Sequence, residues 1–335
     1  MSTPLDGLPD DARRALKQED PADSPRPMLA TLTDRRFSDP GWIYERKLDG
    51  ERCIARREGS EVRLLSRNGK DLGDTYPELA EALAGQDGGA FVVDGEIVAF
   101  EGKLTSFSRL QKRMQISDRK EARASGVKVY YYVFDLLHLN GYDTTDVGLR
   151  HRKALLRKAL KFRDPVRYTA HRNEDGEKYH REACRKGWEG IIAKRADSRY
   201  VHTRSRDWLK FKCVNQQEFV IGGYTEPEGQ RIGFGALLIG YYDDGDLIYA
   251  GKVGTGYDDE TLERLSSRLT SVERKHPPFD EGDLPQRDVH WVRPELVCEV
   301  GFTEWTADGK LRHPRFLGLR RDKDAEDVTR ERPKD

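Results

Sequence analysis

The fold is decided by the six residues Glu45-Arg46-Lys47-Leu48-Asp49-Gly50, which lie early in a chain of 335 residues. The segment 43–48 predicts a strand, and Asp49-Gly50 is a dipeptide typical of tight turns. A lysine at the end of a strand, just before such a turn, is held rigidly at the rim of a sheet. Taken alone, the pattern Lys-x-Asp-Gly is weak, because a hairpin turn with a surface lysine has the same sequence.

The composition indicates a globular protein with an ionic surface. Hydrophobic residues make up 36% of the chain and charged residues 35%, and 59 basic side chains balance 59 acidic ones. The charged fraction exceeds the usual quarter, but recurrent apolar runs exclude a disordered chain. Basic residues crowd 109–123 and 150–167, which permits a basic groove on a neutral protein, although a solvated helix face is the more common source of such a run.

The cysteines and the hydropathy pattern predict the compartment. None of Cys53, Cys184, Cys213 and Cys298 is spaced like a pair of zinc ligands, so a zinc ribbon is not expected. We also expect no disulfide framework, which fits a reducing compartment. No segment is long and apolar enough to span a membrane, and no signal peptide is apparent. These features predict a cytoplasmic protein.

The chain changes character near residue 215. Residues 1–26, rich in Pro, Asp and Ala, are expected to form a flexible tail with one short helix over 10–18. Residues 27–214 mix short strands and helices, as is typical of an α+β domain built on antiparallel sheets. The segments predicted there are strands over 43–48, 52–57, 62–66, 91–100, 128–137, 191–194 and 208–212, and helices over 79–83 and 149–160.

The second part, residues 215–325, is dominated by short strands with Gly-rich turns. One helix is expected over 258–269. Five or so strands with a single interposed helix suit a small β-barrel such as an OB-fold. The strands predicted there are 219–224, 236–242, 247–253, 289–292 and 296–302, and residues 326–335 are expected to form a C-terminal tail.

Five later segments carry residue types that suit nucleotide chemistry. Each also has an ordinary structural explanation: a turn, a strand edge, a core phenylalanine or a solvated lysine pair. In the last of them the residues alternate, so two lysines share one face of a strand. The segments are Ser66-Arg67-Asn68-Gly69, Val93-Asp94-Gly95-Glu96-Ile97, Val133-Phe134-Asp135-Leu136, Glu189-Gly190-Ile191-Ile192-Ala193-Lys194 and Trp208-Leu209-Lys210-Phe211-Lys212.

In this order, the six segments resemble the collinear motifs of the covalent nucleotidyltransferases, which are ligases and mRNA capping enzymes. A seventh segment, Arg312-His313-Pro314-Arg315-Phe316-Leu317-Gly318-Leu319-Arg320-Arg321-Asp322-Lys323, is similar to the C-terminal motif of ATP-dependent DNA ligases. Capping enzymes end differently there. Intervening stretches such as Phe107-Ser108-Arg109-Leu110-Gln111 are similar to the ligase domain of bacterial end-joining DNA ligases, and the resemblance spans residues 27–323.

The resemblance implies an ATP-dependent DNA ligase that seals 5′-phosphate/3′-hydroxyl breaks through a lysyl-AMP and a DNA-adenylate. It implies a nucleotidyltransferase domain followed by an OB-fold domain, with ATP as substrate and Mg²⁺ or Mn²⁺ as cofactor. The implied setting is DNA repair at the nucleoid, by end joining or nick sealing. The implied partners are duplex DNA with nicks or ends and a bacterial Ku-type end-binding protein.

The resemblance also implies roles for individual residues. Lys47 would be the nucleophile, and since a free lysine titrates near ~10.4, nearby cations would help to deprotonate it. Glu45 would accept a hydrogen bond from the adenine amino group, and Phe134 would stack on adenine. The other implied ATP ligands are Arg52, Arg67, Glu96, Glu189, Arg204, Lys210, Lys212, Arg312 and Lys323, of which Glu96 and Glu189 are also candidate metal ligands.

Rival interpretations differ in what they require. A capping enzyme or RNA ligase would lack the segment that ends at Lys323, or the barrel that contains it. A nicotinamide-dependent ligase would need an additional N-terminal domain and zinc-binding cysteines. A non-catalytic DNA-end binding module would not need Lys47. The choice between nicks and double-strand breaks, or between DNA and RNA ends, is open at this level.

Overall fold

The computed structural model of the chain describes residues 4–227, 229 and 232–333. The chain divides into two compact units, Met1–Cys213 with Arg332–Asp335 and Val214–Glu331. Among the described residues, none of the helices has both the length and the apolar character needed to cross a membrane.

The first unit contains six α-helices and thirteen strands within its described residues. The helices are α1 (Asp10–Arg14), α2 (Pro77–Ala84), α3 (Phe107–Met114), α4 (Arg119–Ala124), α5 (Leu149–Ala159) and α6 (Gly176–Arg185). The strands are β1 (Lys17–Gln18), β2 (Leu29–Leu32), β3 (Trp42–Arg46), β4 (Glu51–Glu58), β5 (Glu61–Ser66), β6 (Phe91–Glu101), β7 (Leu104–Thr105), β8 (Val129–Leu139), β9 (Tyr142–Asp143), β10 (Val166–Tyr168), β11 (His171–Asn173), β12 (Gly190–Arg195) and β13 (Arg204–Lys212). A 3₁₀ helix at Pro4–Gly7 precedes them.

These strands form two sheets. The larger has the order β1-β9-β8-β6-β4-β5, with β10 beside β8 and β7 beside β6, and the smaller has the order β11-β3-β12-β13-β2. The described pairings are antiparallel as expected, except that β10 runs parallel to β8 and β2 parallel to β13. Strand β2 and helices α3, α4 and α6 were not predicted.

Side-chain alternation along β4 explains how the two sheets meet. Cys53 and Ala55 point into the main core, which lies under the helices. Ile54 points to the opposite face and packs with Phe134 of the larger sheet and Trp208 of the smaller one. The period of two along a strand thus gives the larger sheet one face against helices and one against its neighbour sheet.

Helices α3 and α4 carry the basic run 109–123. Ser106 caps α3 by accepting from the Arg109 backbone, and Asp118 caps α4 in the same way. Arg113 is buried and donates to the Thr75 carbonyl at 2.7 Å and to Glu78 at 2.6 Å. Arg113 of this run therefore stabilises local structure.

The N-terminal segment differs from the flexible tail that was expected. Leu8 and Ala12 are buried in the main core, and β1 pairs with β9. Two apolar residues four positions apart in a polar stretch are enough to attach this short segment to the core. The helix predicted over 10–18 is shorter in the structure, where α1 ends at Arg14.

The second unit contains one α-helix and eight strands within its described residues. They are α7 (Asp259–Ser271), β14 (Asn215–Thr225), β15 (Leu237–Asp243), β16 (Asp246–Val253), β17 (Glu273–Arg274), β18 (Val289–Phe302), β19 (Glu304–Trp305), β20 (Leu311–Arg312) and β21 (Arg315–Arg320), followed by a 3₁₀ helix at Ala325–Asp327. The main sheet has the order β16-β15-β14-β18-β17, and β21 also pairs with β18. The two strands predicted over 289–302 are one continuous strand.

The cysteine prediction was wrong in one respect: Cys184 and Cys213 form a disulfide. Cys184 lies in α6, and Cys213 follows β13 directly, with a Cα–Cα distance of 5.2 Å. The two cysteines are 29 positions apart in sequence, and nothing between them predicted the bond, because the pairing arises from α6 packing on the smaller sheet. Cys53 and Cys298 are free and buried.

Candidate active site

Lys47 lies where the chain crosses from one sheet to the other. Strand β3 ends at Arg46 in the smaller sheet, and β4 begins at Glu51 in the larger sheet. The intervening Asp49-Gly50 turn is therefore not a hairpin, which excludes the simplest alternative for the Lys-x-Asp-Gly pattern. The Lys47 backbone N–H donates to the Gly190 carbonyl at 3.0 Å, so the crossing is anchored to β12.

Two glycines make this close crossing possible. A Cβ atom on Gly50 would lie 2.1 Å from the Ile97 carbonyl oxygen, and one on Gly190 would lie 2.1 Å from the Phe211 carbonyl oxygen. Both distances are below any real Cβ contact, so larger residues would displace backbone. The glycines of the Lys-x-Asp-Gly and Glu-Gly segments thus have a steric explanation.

The Lys47 ammonium group contacts the Glu189 carboxylate through Oε1. The lysine side chain is 18% exposed and the glutamate side chain 5% exposed, so the pair lies at the rim of the protein interior. The other carboxylate oxygen, Oε2, is buried and accepts no hydrogen bond from the part of the chain that the structure describes. A buried carboxylate oxygen without a donor is costly, and a cation or a bound ligand would satisfy it.

The register of the smaller sheet places Lys210 and Lys212 on the face that carries Glu45. Lys212 pairs with Gly190, and Lys210 pairs with Ile192, which in turn pairs with Glu45 of β3. Lys47 follows Glu45 by two residues, just beyond the end of β3, so its side chain lies on the same face as that of Glu45. The residues of the opposite face, including Leu209 and Phe211, pack against α6. Lys210 and Lys212 therefore project on the same side as Lys47.

Glu45 is enclosed by two lysines. It is 1% exposed, one carboxylate oxygen contacts Lys153 of α5, and the other lies 2.6 Å from Lys194 Nζ. Burial alone would raise the pKa of Glu45, but the two lysines lower it. Both carboxylate oxygens of Glu45 are thus paired with lysines. The hydrogen bond from adenine to Glu45 stays a prediction, and it would require one of these lysines to move away.

Arg52 and Phe134 form the facing wall on the larger sheet. The Arg52 guanidinium makes a bidentate pair with Asp94 at 2.5 and 2.6 Å and lies 4.7 Å from the Phe134 ring centre. Burial would lower the pKa of Arg52, but Asp94 raises it above its usual value. Lys194 Nζ lies 4.1 Å from the same ring, so two cations bracket the aromatic side chain. We call Glu45, Lys47, Arg52, Phe134 and Glu189, with their partners, the intersheet site.

A second buried ion pair supports this wall. Asp135 and Arg152 are both fully buried and pair through two hydrogen bonds of 2.7 and 2.9 Å. Arg152 also donates to the Val147 and Ser198 carbonyls. All of these partners are satisfied, which is the condition under which a buried ion pair is tolerated.

The remaining predicted residues occupy different positions. Glu96 is half-buried on β6, and its position in the strand is opposite that of Arg52 on β4. Arg67 lies in the turn after β5. Arg204, at the start of β13, donates to the Ala30 carbonyl at 2.6 Å. In the second unit, Arg312 is exposed and pairs with Glu304, and Lys323 lies 3.1 Å from Glu218.

Comparison with known proteins identifies the family. Residues 27–212 match the model of the ATP dependent DNA ligase domain, and residues 230–323 match that of the ATP dependent DNA ligase C terminal region. The chain belongs to the ATP-dependent DNA ligases. The predicted family and fold class, an α+β nucleotidyltransferase domain followed by an OB-fold domain, are thereby confirmed.

Two similar proteins are multifunctional end-joining proteins. The chain is 42% identical over 317 residues to the multifunctional non-homologous end joining protein LigD of Pseudomonas aeruginosa, covering 92% of this chain and 36% of that protein. It is 37% identical over 321 residues to the LigD protein of Mycobacterium tuberculosis, covering 92% and 40%. The chain therefore spans less than half the length of these relatives.

Among solved structures, the chain is similar to a mycobacterial DNA ligase D complexed with ATP and MES. The TM-score is 0.68 at 34% identity, and the match covers 93% of this chain and all of that one. The ligase domain of Mycobacterium tuberculosis LigD matches with a TM-score of 0.50 at 36% identity and the same coverage.

Sequence reasoning missed several residues of this DNA ligase's intersheet site. Asp94 and Lys194 stand inside segments that had been singled out, so their positions could have been found from the motifs. Lys153 and Tyr200, whose hydroxyl donates to Asp94 at 2.6 Å, lie in stretches without a motif. Only the packing of α5 and of the loop before β13 brings them to the site.

Proposed function

We propose that this chain carries AMP on Lys47 and uses it to seal a 5′-phosphate to a 3′-hydroxyl in duplex DNA. The observation that carries the proposal is the position of Lys47 at the sheet crossing, beside Glu189 and on the lysine-bearing face of β13. Membership of the ATP-dependent DNA ligase family supplies the reaction class.

The reaction would proceed in three displacements at phosphorus. The deprotonated Lys47 amine attacks the α-phosphate of ATP, an N–P bond forms, and pyrophosphate leaves. A DNA 5′-phosphate oxygen then attacks the lysyl-AMP and breaks the N–P bond, which frees the lysine. Finally the 3′-hydroxyl attacks the activated 5′-phosphate and expels AMP. Positioning and charge neutralisation supply most of the rate enhancement in such transfers.

The proposed residue roles follow the charges of the intersheet site. Lys210 and Lys212 would bind ATP phosphates, and their positive charge would favour the neutral form of Lys47. Phe134 would stack on adenine. Arg52 and Arg67 would bind ribose or phosphate oxygens, which for Arg52 requires its pair with Asp94 to open or to be shared. Further ligands proposed for the nucleotide are Glu45, Arg204, Arg312 and Lys323.

Glu189 and Glu96 are proposed to hold a divalent cation. Their carboxylate oxygens are hard ligands of the kind that Mg²⁺ and Mn²⁺ prefer. The Oε2 atom of Glu189, which accepts no hydrogen bond from the described residues, fits such a role. When bound, the cation would neutralise phosphate charge and would compete with Lys47 for the Glu189 carboxylate.

The setting proposed is DNA repair. Support comes from the names of the relatives, which are described as non-homologous end joining proteins. A Ku-type end-binding protein is the proposed partner for double-strand ends, and nick sealing is the second proposed use of the same chemistry.

The deciding experiment follows the covalent intermediate. The purified chain is incubated with α-labelled ATP and a divalent cation, and the label is followed on a denaturing gel. Label should stay on the wild type and vanish from Lys47→Ala. The matched control is Lys158→Ala, an exposed lysine on α5, which should label like the wild type. A Lys47→Ala variant that labels normally would overturn the proposal.

Substrate choice needs separate assays on the adenylated protein. Sealing is compared on a nicked DNA duplex, a nicked RNA duplex and a DNA duplex with cohesive ends, the last with and without a Ku-type protein. Adenylation without sealing of either DNA substrate would instead support an RNA ligase.

A further inference from the structure

The Cys184–Cys213 disulfide ties α6 to the end of β13 beside the intersheet site. Cys213 directly follows Lys212, and its backbone N–H donates to the Glu189 carbonyl at 2.9 Å. Glu189 in turn contacts Lys47 through its side chain. The covalent link therefore joins a helix to the short segment where Lys212 and Glu189 are held side by side.

The other two cysteines are unsuited to redox chemistry. Cys53 and Cys298 have no exposed surface, and burial raises the pKa of both thiols well above the usual value. Because the thiolate is the reactive form, these two thiols should be inert. Cys184 and Cys213 are partly exposed, so a dissolved thiol or oxidant can reach them. Among the described residues, the reactive sulfur is thus concentrated in one pair.

His180 completes the surroundings of this pair. It lies one helical turn before Cys184, and its Nε2 atom is 3.5 Å from Cys184 Sγ and 3.9 Å from Cys213 Sγ. The same ring nitrogen lies 3.1 Å from the Lys212 carbonyl oxygen. A ring nitrogen in this position can hydrogen-bond a sulfur atom that leaves as a thiolate, and it connects that sulfur to the backbone of Lys212.

We propose that Cys184–Cys213 is a reversible redox site that controls how firmly Lys212 and Glu189 are held. The thiolate of a low-molecular-mass thiol attacks Cys184 Sγ, the S–S bond breaks, and Cys213 leaves as a thiolate and takes up a proton. A second thiol resolves the mixed disulfide. Two donor thiols thereby become one donor disulfide, and the chain gains two protons and two electrons. The reverse reaction uses a small disulfide such as oxidised glutathione.

Reduction should loosen the site without unfolding it. The link closes a loop of 29 residues, so its loss should lower the Tm of the first unit by about 5–10 °C. Cys213 then loses its covalent link to α6 and keeps its backbone hydrogen bond to the Glu189 carbonyl. A small displacement of a phosphate-binding lysine is expensive, so we expect the KM for ATP in self-adenylation to rise roughly threefold to tenfold. This effect on activity rests on the proposed function, whereas the redox reaction does not.

The first test counts thiols in the full chain. The protein is equilibrated across ratios of reduced to oxidised glutathione, quenched, denatured and labelled with a maleimide, and its mass is measured. Two labels are expected at the oxidising end and four at the reducing end, while Cys184→Ser should take three at the reducing end and, at the oxidising end, three or else two with one added glutathione on Cys213. Four labels at every ratio, or a reduced chain that binds one zinc ion through His180 and both cysteines and resists oxidation, would overturn the proposal.

The second test compares self-adenylation kinetics of the two redox forms. The wild type should show the higher KM for ATP when reduced, and Cys184→Ser should show that higher KM in both conditions. A Cys298→Ser variant is the matched control and should keep the redox response. Equal KM values in the two forms of an active wild type would refute control of the site while leaving the ligase proposal intact. A chain that never adenylates but shows the two-to-four change in labels would refute the ligase proposal alone.

Discussion

Replacing Lys153 by methionine should strongly destabilise the first unit. Lys153 is 1% exposed, and its ammonium contacts Glu45 and lies 3.1 Å from the Thr169 carbonyl and 3.3 Å from the Phe134 carbonyl. Removing one partner of a buried ion pair costs about 3–5 kcal/mol, because the other charge is left buried. Two carbonyls that lose a charged donor add to that cost, whereas Lys194, still 2.6 Å from Glu45, reduces it. We therefore expect a loss of about 3 kcal/mol, or roughly a hundredfold in the folding equilibrium.

The assay must distinguish the two units of the chain. Urea unfolding followed by pulsed hydrogen exchange and mass spectrometry gives a separate midpoint for peptides of each unit. The first unit of Lys153→Met should unfold at lower urea, with the second unit unchanged. Lys158→Met, an exposed lysine on the same helix, is the matched control and should stay within about 0.5 kcal/mol of the wild type.

A double-mutant cycle with Glu45→Gln tests the cause of the loss. The two side chains touch, so their effects should be non-additive by at least about 1 kcal/mol. A Lys153→Met loss below about 1 kcal/mol, or additive losses in the cycle, would refute the view that Glu45 is a buried carboxylate held ionised by its lysines.

Three other predictions concern catalysis, metal and pH. Lys212→Ala should slow self-adenylation by about a hundredfold or more, because it removes a phosphate-binding charge; an unchanged rate of label incorporation would exclude it from the site. Glu189→Gln should raise the Mg²⁺ or Mn²⁺ concentration needed for half-maximal adenylation, and an identical metal titration would contradict metal binding there. Burial would raise the pKa values of Glu45 and Asp135, but their basic partners lower both below the usual value. The ionised carboxylates therefore stabilise the folded state above the unfolded pKa of about 4, and this stabilisation is lost as the pH falls through the lower folded pKa values. The unfolding free energy of the first unit should therefore decline below about pH 4.5 in urea titrations, and a constant value down to pH 3 would contradict this prediction.

The sequence was most informative where local chemistry and chain order coincide. Lys47, Glu189 and Lys212 were predicted as site residues because short segments of distinctive composition occur in a fixed order. Alternation correctly gave Lys210 and Lys212 a common face. The helix predicted over 258–269 is α7, and in the structure Asp258 is its N-cap and accepts from the Thr261 backbone N–H.

The remainder depends on tertiary packing. No local rule shows that β3 and β4, separated by four residues, belong to different sheets. Lys153 lies 108 residues from Glu45, in a helix whose basic run reads as a solvated surface, yet it is buried. The same limit applies to the Cys184–Cys213 pair. Contacts between charged residues that are far apart in sequence cannot be predicted until the packing of the sheets is known.

The pairing of charges around Lys47 bears on its proposed role as the nucleophile. From the sequence alone, Lys210 and Lys212 were expected to create a positive field around Lys47. In the structure, each cation for which a pairing is described at the intersheet site faces a carboxylate: Lys47 faces Glu189, Arg52 faces Asp94, and both Lys153 and Lys194 face Glu45. While the Lys47 ammonium group contacts the Glu189 carboxylate, its nitrogen has no lone pair with which to attack phosphorus. We therefore expect the contact between Lys47 and Glu189 to open when ATP and a divalent cation bind, so that Lys210 and Lys212 act on the Lys47 amine once the substrate is in place.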